Sequence, residues 1–251
     1  MIKYKVSAVS YLNSIPFIYG INQSDLVDRI ELSLDYPSVC AQKLIENKVD
    51  IALVPIVVLM ENPQFTIISG FCISAKGKVD TVCLYSDVPL LEIEEIYLDY
   101  QSRTSVELLK ILCREHWNVS PKFISSSVGF ENKVEGKTAA LIIGDRAFSA
   151  NGNYKFVFDL SESWNEMTGL PFVFACWVSN KKIEDDFISE FNESLKTGVK
   201  NMDKAIDKES VNYPHCLNPV DYLNHKISYN LDTKKRRGME LFLTKVTQNK
   251  E

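Results

Sequence analysis

Arg29-Ile30-Glu31-Leu32-Ser33-Leu34-Asp35-Tyr36-Pro37-Ser38-Val39-Cys40-Ala41-Gln42-Lys43-Leu44-Ile45-Glu46-Asn47-Lys48-Val49-Asp50-Ile51-Ala52-Leu53 changes its hydrophobic period twice. Ile30, Leu32 and Leu34 alternate with polar neighbours, the period of a strand. From Pro37 to Asn47 the spacing turns helical, with Ser38 placed to cap and Val39, Leu44 and Ile45 on one stripe. Asp50 to Leu53 is strand again. Strand, helix, strand is the rhythm of a crossover unit, and such units cover the faces of a parallel sheet. The expectation is an open α/β sheet, to which Lys3 to Ser10 adds a strand ahead.

The rhythm resumes further on. Ile96 and Leu98 fall in a short strand, and a helix is predicted from Thr104 to Trp117, where Thr104 and Glu107 have capping-box spacing. Lys122 to Ser125 and the apolar Thr138 to Ile143 are strands of a second unit. Ile183, Phe187, Phe191, Leu195, Val199, Met202 and Ile206 keep a helical period in which Gly198 is the weak link. The apolar segments Thr81 to Ser86 and Leu170 to Ser179 are the candidates for strands crossing between the units. They suggest a discontinuous first domain, residues 1–85 with 175–251, and a second, residues 86–174, facing each other across a cleft. Ligands of open α/β sheets sit at the carboxyl ends of the strands, where such a cleft would lie.

At 251 residues, 45% hydrophobic and 24% charged, the chain has the composition of an ordinary globular protein, which excludes disorder and fibrous folds. A net charge of −5 is too mild to predict nucleic acid or an anionic membrane as a partner, so a bound anion must be held by a local site. The longest apolar run, Ile51 to Met60, is broken by Pro55 and falls short of the ~20 residues of a bilayer span. The N-terminus enters a strand with no apolar signal core, which leads to the expectation of a cytoplasmic chain. The six cysteines, with no CxxC pair, are expected to be reduced core thiols. Oligomeric state is not readable from the sequence.

Motifs for phosphate or dinucleotide binding (GxxxxGK[ST], GxGxxG) are missing, as is a GxSxG elbow. His116, His215 and His225 show no metal-ligand spacing, and His116 is expected at the surface. The polar residues at strand ends remain. Tyr11, Asn13 and Ser14 follow the first strand. The Asn13 amide both donates and accepts, which suits a ligand hydroxyl or carboxylate and equally a helix cap or Asx-turn. Ser102, Arg103, Thr104 and Ser105 open the Thr104 helix, whose unpaired N–H groups and positive end are a seat for a carboxylate; alternatively Ser102 or Thr104 only caps and Arg103 faces water. Thr81 stands at the hinge after Lys78 and Asp80, which can be mere turn charges. Gly144 and Asp145 end the apolar strand, where Asp145 is an acid–base candidate or the cap of a following helix. The tract Trp164 to Phe174, with Gly169, Leu170 and Pro171 in its turn, is a candidate for a cleft wall. The run Lys234-Lys235-Arg236-Arg237 is expected to be the solvated face of the last helix.

Taken together, Ser10-Tyr11-Leu12-Asn13, Pro37-Ser38, Asp50-Ile51-Ala52-Leu53-Val54-Pro55, Leu98-Asp99, Ser102-Arg103-Thr104-Ser105, Ile143-Gly144-Asp145 and Thr168-Gly169-Leu170-Pro171-Phe172-Val173-Phe174-Ala175 resemble the MqnA family, the chorismate dehydratases of the futalosine route to menaquinone. The resemblance runs from Lys5 to about Val178. It implies a type II periplasmic-binding-protein fold of two α/β domains joined by two crossing strands. It also implies chorismate as substrate, with no cofactor and no metal. Asn13 and Thr81 would then hold the ring substituents at the hinge, and Ser102 to Ser105 a carboxylate, with Tyr11, Ser14, Ser38, Gly144, Asp145, Gly169, Leu170 and Pro171 as further binding residues. At the hinge the family often has serine where this chain has Thr81. No motif histidine or obviously catalytic carboxylate presents itself, so the side-chain carboxylate of bound chorismate is the expected proton acceptor. The sibling MqnD lyases carry a different first loop, and a non-enzymatic small-anion binder of the same fold is the runner-up. An exported receptor would carry a signal peptide, and a transcription-factor effector domain would follow a helix-turn-helix.

Overall fold

The computed structural model describes residues 3–248 except 214 and 217. Its strands are β1 (Tyr4–Val9), β2 (Ile30–Asp35), β3 (Ile51–Pro55), β4 (Thr66–Ala75), β5 (Val82–Ser86), β6 (Glu95–Leu98), β7 (Lys122–Ser125), β8 (Thr138–Ile143), β9 (Phe156–Asp159), β10 (Phe172–Ser179) and β11 (Ser228–Asn230). The helices are α1 (Ile15–Asn22), α2 (Pro37–Ile45), α3 (Val58–Glu61), α4 (Thr104–Glu115), α5 (Arg146–Ala150), α6 (Leu160–Thr168), α7 (Asp185–Lys200), α8 (Met202–Glu209), α9 (Pro219–Asp221) and α10 (Thr233–Gln248).

Two mixed sheets result. The first has six strands in the order β11-β4-β10-β3-β1-β2, and the second has five in the order β7-β6-β8-β5-β9. β1 pairs in parallel with β2 and β3, while β10 runs antiparallel to β3 and β4. All five residues of β3 are buried, as a central strand covered on both faces requires. The chain leaves the first sheet after Ala75, enters the second at Val82, and returns between Asp159 and Phe172 by way of α6. Both connections therefore run just ahead of the strands read as crossings.

Several local expectations change. Ser38 does not cap α2: Tyr36 is the N-cap residue with Pro37 at the first turn, and the Ser38 N–H donates to the Gln101 carbonyl at 3.3 Å. The capping box at Thr104 does not form either, since Ser102 Oγ accepts from the Ser105 N–H at 3.0 Å and does the capping. The long C-terminal helix is broken at Asn201 into α7 and α8. Gly198 is a packing device rather than a weak link. A Cβ there would lie 1.7 Å from the Pro16 carbonyl, so the backbones of α1 and α7 touch only because it is glycine. Around this crossing Trp177 packs edge-on against Phe17 and Phe191 at 5.8 and 5.1 Å, and each such buried side chain contributes about 1.5–3 kcal/mol.

The basic run of α10 is not wholly solvated. Lys235 is 4% exposed, and its ammonium donates to Ser228 Oγ at 2.6 Å and to the Asn230 carbonyl at 2.5 Å, which locks α10 to edge strand β11. All six cysteines are free, five of them buried, and burial pushes the Cys40 and Cys113 thiols up to about 12. Among the described residues no helix is long and apolar enough to cross a membrane.

Candidate active site

Between the two sheets lies a cavity of about 60 Å³, room for several waters when one needs roughly 10–15 Å³. Its polar lining is Tyr11, Asn13, Thr81, Ser102, Thr104 and Ser105. Three segments far apart in sequence deliver them, the turn after β1, the hinge before β5 and the start of α4, and Gly144 at the end of β8 joins the lining beside Tyr11. Val9, Pro37, Ile73, Phe174 and Ile227 contribute apolar wall. No charged side chain is part of the lining among the described residues.

The two lips are in contact. Tyr11 Oη donates to Gln101 Oε1, and the Leu12 N–H donates to both Asp145 carboxylate oxygens at 3.1 and 3.2 Å. Val57 N–H approaches Thr104 Oγ1 at 3.4 Å. Gly144 holds φ +65°, and a Cβ on it would stand 2.5 Å from the Tyr11 ring, so only glycine lets that ring close over the end of β8.

The electrostatics are those of neutral groups. Burial, reinforced by the nearby Asp99 charge, pushes the Tyr11 hydroxyl far above the usual tyrosine range, and burial does the same for Tyr222. Asp99, fully buried behind the site, takes both its oxygens onto Arg146 at 2.5 and 2.6 Å and accepts the N–H groups of Gln101 and Ile143 at 2.9 Å. Burial pushes this carboxyl up while Arg146 pulls it down. Asp145 is raised from the ordinary 3.8 to about 7 by burial, against the Leu12 N–H bond.

Of the residues singled out from sequence, Tyr11, Asn13, Thr81, Ser102, Thr104, Ser105 and Gly144 meet at one cavity. The other single-residue candidates lie off it. Ser14 stands behind Asn13, its Oγ donating to Asn13 Oδ1 at 3.3 Å. Ser38 meets the Gln101 carbonyl through its backbone. Arg103 reaches across the lips to Gln42 Oε1 at 3.1 Å. Asp145 occupies the N-cap position of α5 without a side-chain cap bond, because its carboxylate is turned to Leu12. Of the tract read as a cleft wall, Phe174 lines the cavity, whereas Gly169, Leu170 and Pro171 do not: Gly169 ends α6 with φ +71°, and the Pro171 carbonyl lies against Gly238 of α10. His116 is near the surface, 3.4 Å from Glu166.

Sequence reasoning missed two tyrosines. Tyr222 Oη lies 2.8 Å from Thr81 Oγ1, and Tyr229 Oη donates to the Asn13 carbonyl at 3.1 Å. Tyr222 opens a single π turn, Tyr222–Lys226, and no periodicity in the sequence marks it.

Two α/β lobes closing on a cavity at their strand ends define a protein of the periplasmic-binding-protein-like class. Solved structures agree at the level of fold: a protein of Archaeoglobus fulgidus (TM-score 0.75, 13% identity, 99% of this chain and 97% of that one) and the periplasmic aliphatic sulphonate-binding protein of Escherichia coli (TM-score 0.63, 11% identity, 99% and 87%). The chain belongs to the menaquinone biosynthesis family, whose model matches residues 4–248. A curated relative is the chorismate dehydratase of Thermus thermophilus, 26% identical over 204 residues, which are 73% of this chain and 74% of that protein.

Proposed function

We propose that the protein is a chorismate dehydratase acting in the futalosine route to menaquinone, converting chorismate to 3-[(1-carboxyvinyl)oxy]benzoate and water. The observation that carries this reading is the neutral cavity. Its hydroxyls, amide and helix start suit a small carboxylated ring, and among the described residues no carboxylate, imidazole or amine lines it to act as a base. Family membership and the dehydratase relative support it.

In the reaction the C3–H and C4–O bonds break, the proton and hydroxide leave as water, and the ring becomes aromatic. The driving force is the substrate's own, so the protein's task is orientation, which can be worth several kcal/mol. The side-chain carboxylate of chorismate takes the C3 proton, while Asn13 and Thr81 steady the departing hydroxyl. The amides at the start of α4 hold a carboxylate, and the closed lips exclude water. Asp145 is turned to Leu12 and is not among the residues that line the cavity. As a biosynthetic enzyme without cofactor, the protein would work in the cytoplasm.

Incubation of purified protein with chorismate, followed by mass spectrometry, tests the proposal. Loss of one water with a new aromatic absorbance is expected. Unchanged chorismate that nevertheless binds would instead make the protein a small-anion binder, and turnover only of a later futalosine-derived intermediate would make it an MqnD-like lyase.

A further inference from the structure

Thr81 and Asn13 are the two hinge-side polar groups of the cavity, and each can rotate. A threonine hydroxyl presents to a ligand either its proton or its lone pairs, and which one depends on its other neighbours. Thr81 Oγ1 has two: the Val79 carbonyl at a long 3.4 Å and Tyr222 Oη at 2.8 Å. Tyr222 is therefore the partner that decides. Burial raises its ionisation far above the usual range, so the phenol stays protonated and able to donate to Thr81.

Tyr222 itself is 4% exposed and is no part of the cavity lining, so it stands behind the two residues rather than against a ligand. Its ring is braced edge-on by Phe148 of α5 at 5.1 Å. The π turn it opens is an uncommon geometry that recurs at functional sites. From the same segment Tyr229 grips the Asn13 main chain. One stretch of the C-terminal region thus holds both the backbone of Asn13 and the rotor of Thr81.

We propose that Tyr222 is a positioning residue of the site: Tyr222 Oη–H donates to Thr81 Oγ1, and the Thr81 proton is thereby aimed into the cavity. Such a chain strengthens each member. On the dehydratase reading, on which this inference rests, the Thr81 proton meets the C4 hydroxyl as it leaves. Removing the phenol oxygen frees Thr81 to turn its proton to the Val79 carbonyl, away from the ligand. Elimination then loses its steering relative to cleavage of the enolpyruvyl ether.

The test is Tyr222→Phe beside the wild type and a control, Tyr85→Phe, which deletes another buried phenol oxygen, one that donates to the Ala147 carbonyl at 3.3 Å outside the site. For Y222F the expected result is a kcat lowered about tenfold or more, a nearly unchanged KM for chorismate, and a larger share of enolpyruvyl-cleaved product. Y85F should lose similar thermal stability and keep the wild-type partition. A Y222F enzyme with wild-type kcat and product ratio overturns the proposal, as does a loss that Y85F reproduces. Should the wild type leave chorismate intact, the dehydratase reading fails separately. The positioning claim is then decided without substrate by the methyl resonance of Thr81. It must move in Y222F and stay in Y85F, and an unmoved resonance refutes it.

Discussion

Thr81 carries the sharpest residue-scale expectation. Thr81 is buried at the hinge and lines the cavity, so Thr81→Val keeps the shape and removes the hydroxyl. On the proposed dehydratase reading we expect kcat for chorismate to fall about 100-fold, the usual scale for one lost transition-state donor, with Thr81→Ser retaining most activity. Steady-state kinetics of the two variants checks it. Gly144→Ala forces a side chain onto a positive φ and against the Tyr11 ring, so the lip cannot seat. A raised KM with little change in the folded fraction is expected from kinetics and circular dichroism. Tyr11, Asn13, Thr81 and the residues opening α4 were legible in the sequence because strand ends and helix starts announce themselves by composition. Gly169 to Pro171 misled for the same reason: a Gly-Leu-Pro turn looks alike whether it lines a cleft or ends a helix.

At the scale of elements, the Asp99–Arg146 pair ties the end of β6 to the start of α5 and, through the Gln101 and Ile143 N–H groups, to the approach to α4 and the end of β8. Arg146→Met leaves a buried carboxylate with only backbone partners. A cost of about 3–5 kcal/mol is expected for a broken buried pair, read as a lowered denaturation midpoint in urea. The elements most legible in sequence were those with one clear period, β2, α2, β3 and α4. α1 escaped because Ile15-Pro16-Phe17-Ile18 is buried almost all round and shows no polar face. β4 escaped because Ser69 and Gly70 interrupt its alternation and its register with β10 shifts twice. Lys235 was misjudged since its neighbours in the basic run are exposed, and only the third dimension supplies Ser228 and Asn230.

At the scale of the molecule, Asp145 joins the lobes by accepting the Leu12 N–H, and its ionisation is linked to folding. Its carboxyl is raised from 3.8 to about 7, so its contribution to stability is complete below pH 4 and is lost as pH rises through 7. At about 1.4 kcal/mol per pH unit the loss is at most ~4 kcal/mol. Asp145→Asn keeps an acceptor for Leu12 and removes the titration. Its melting temperature relative to wild type should therefore climb between pH 4 and 8, and parallel curves would refute the linkage. The two-lobed arrangement was legible from the repeated crossover units, whereas contact between the lips was not, because side chains such as Tyr11 and Gln101 meet only once both sheets exist.

An uncharged chamber inside an acidic body has a kinetic corollary. On the dehydratase reading, the doubly negative substrate would approach a chain of net charge −5, repelled at long range and attracted only after it touches the amide and hydroxyl dipoles within. Background electrolyte shields that outer repulsion within about 10 Å at 0.1 M and leaves the enclosed contacts largely untouched. Capture should accordingly quicken as salt is added, the reverse of the behaviour of an anion site built from lysines and arginines.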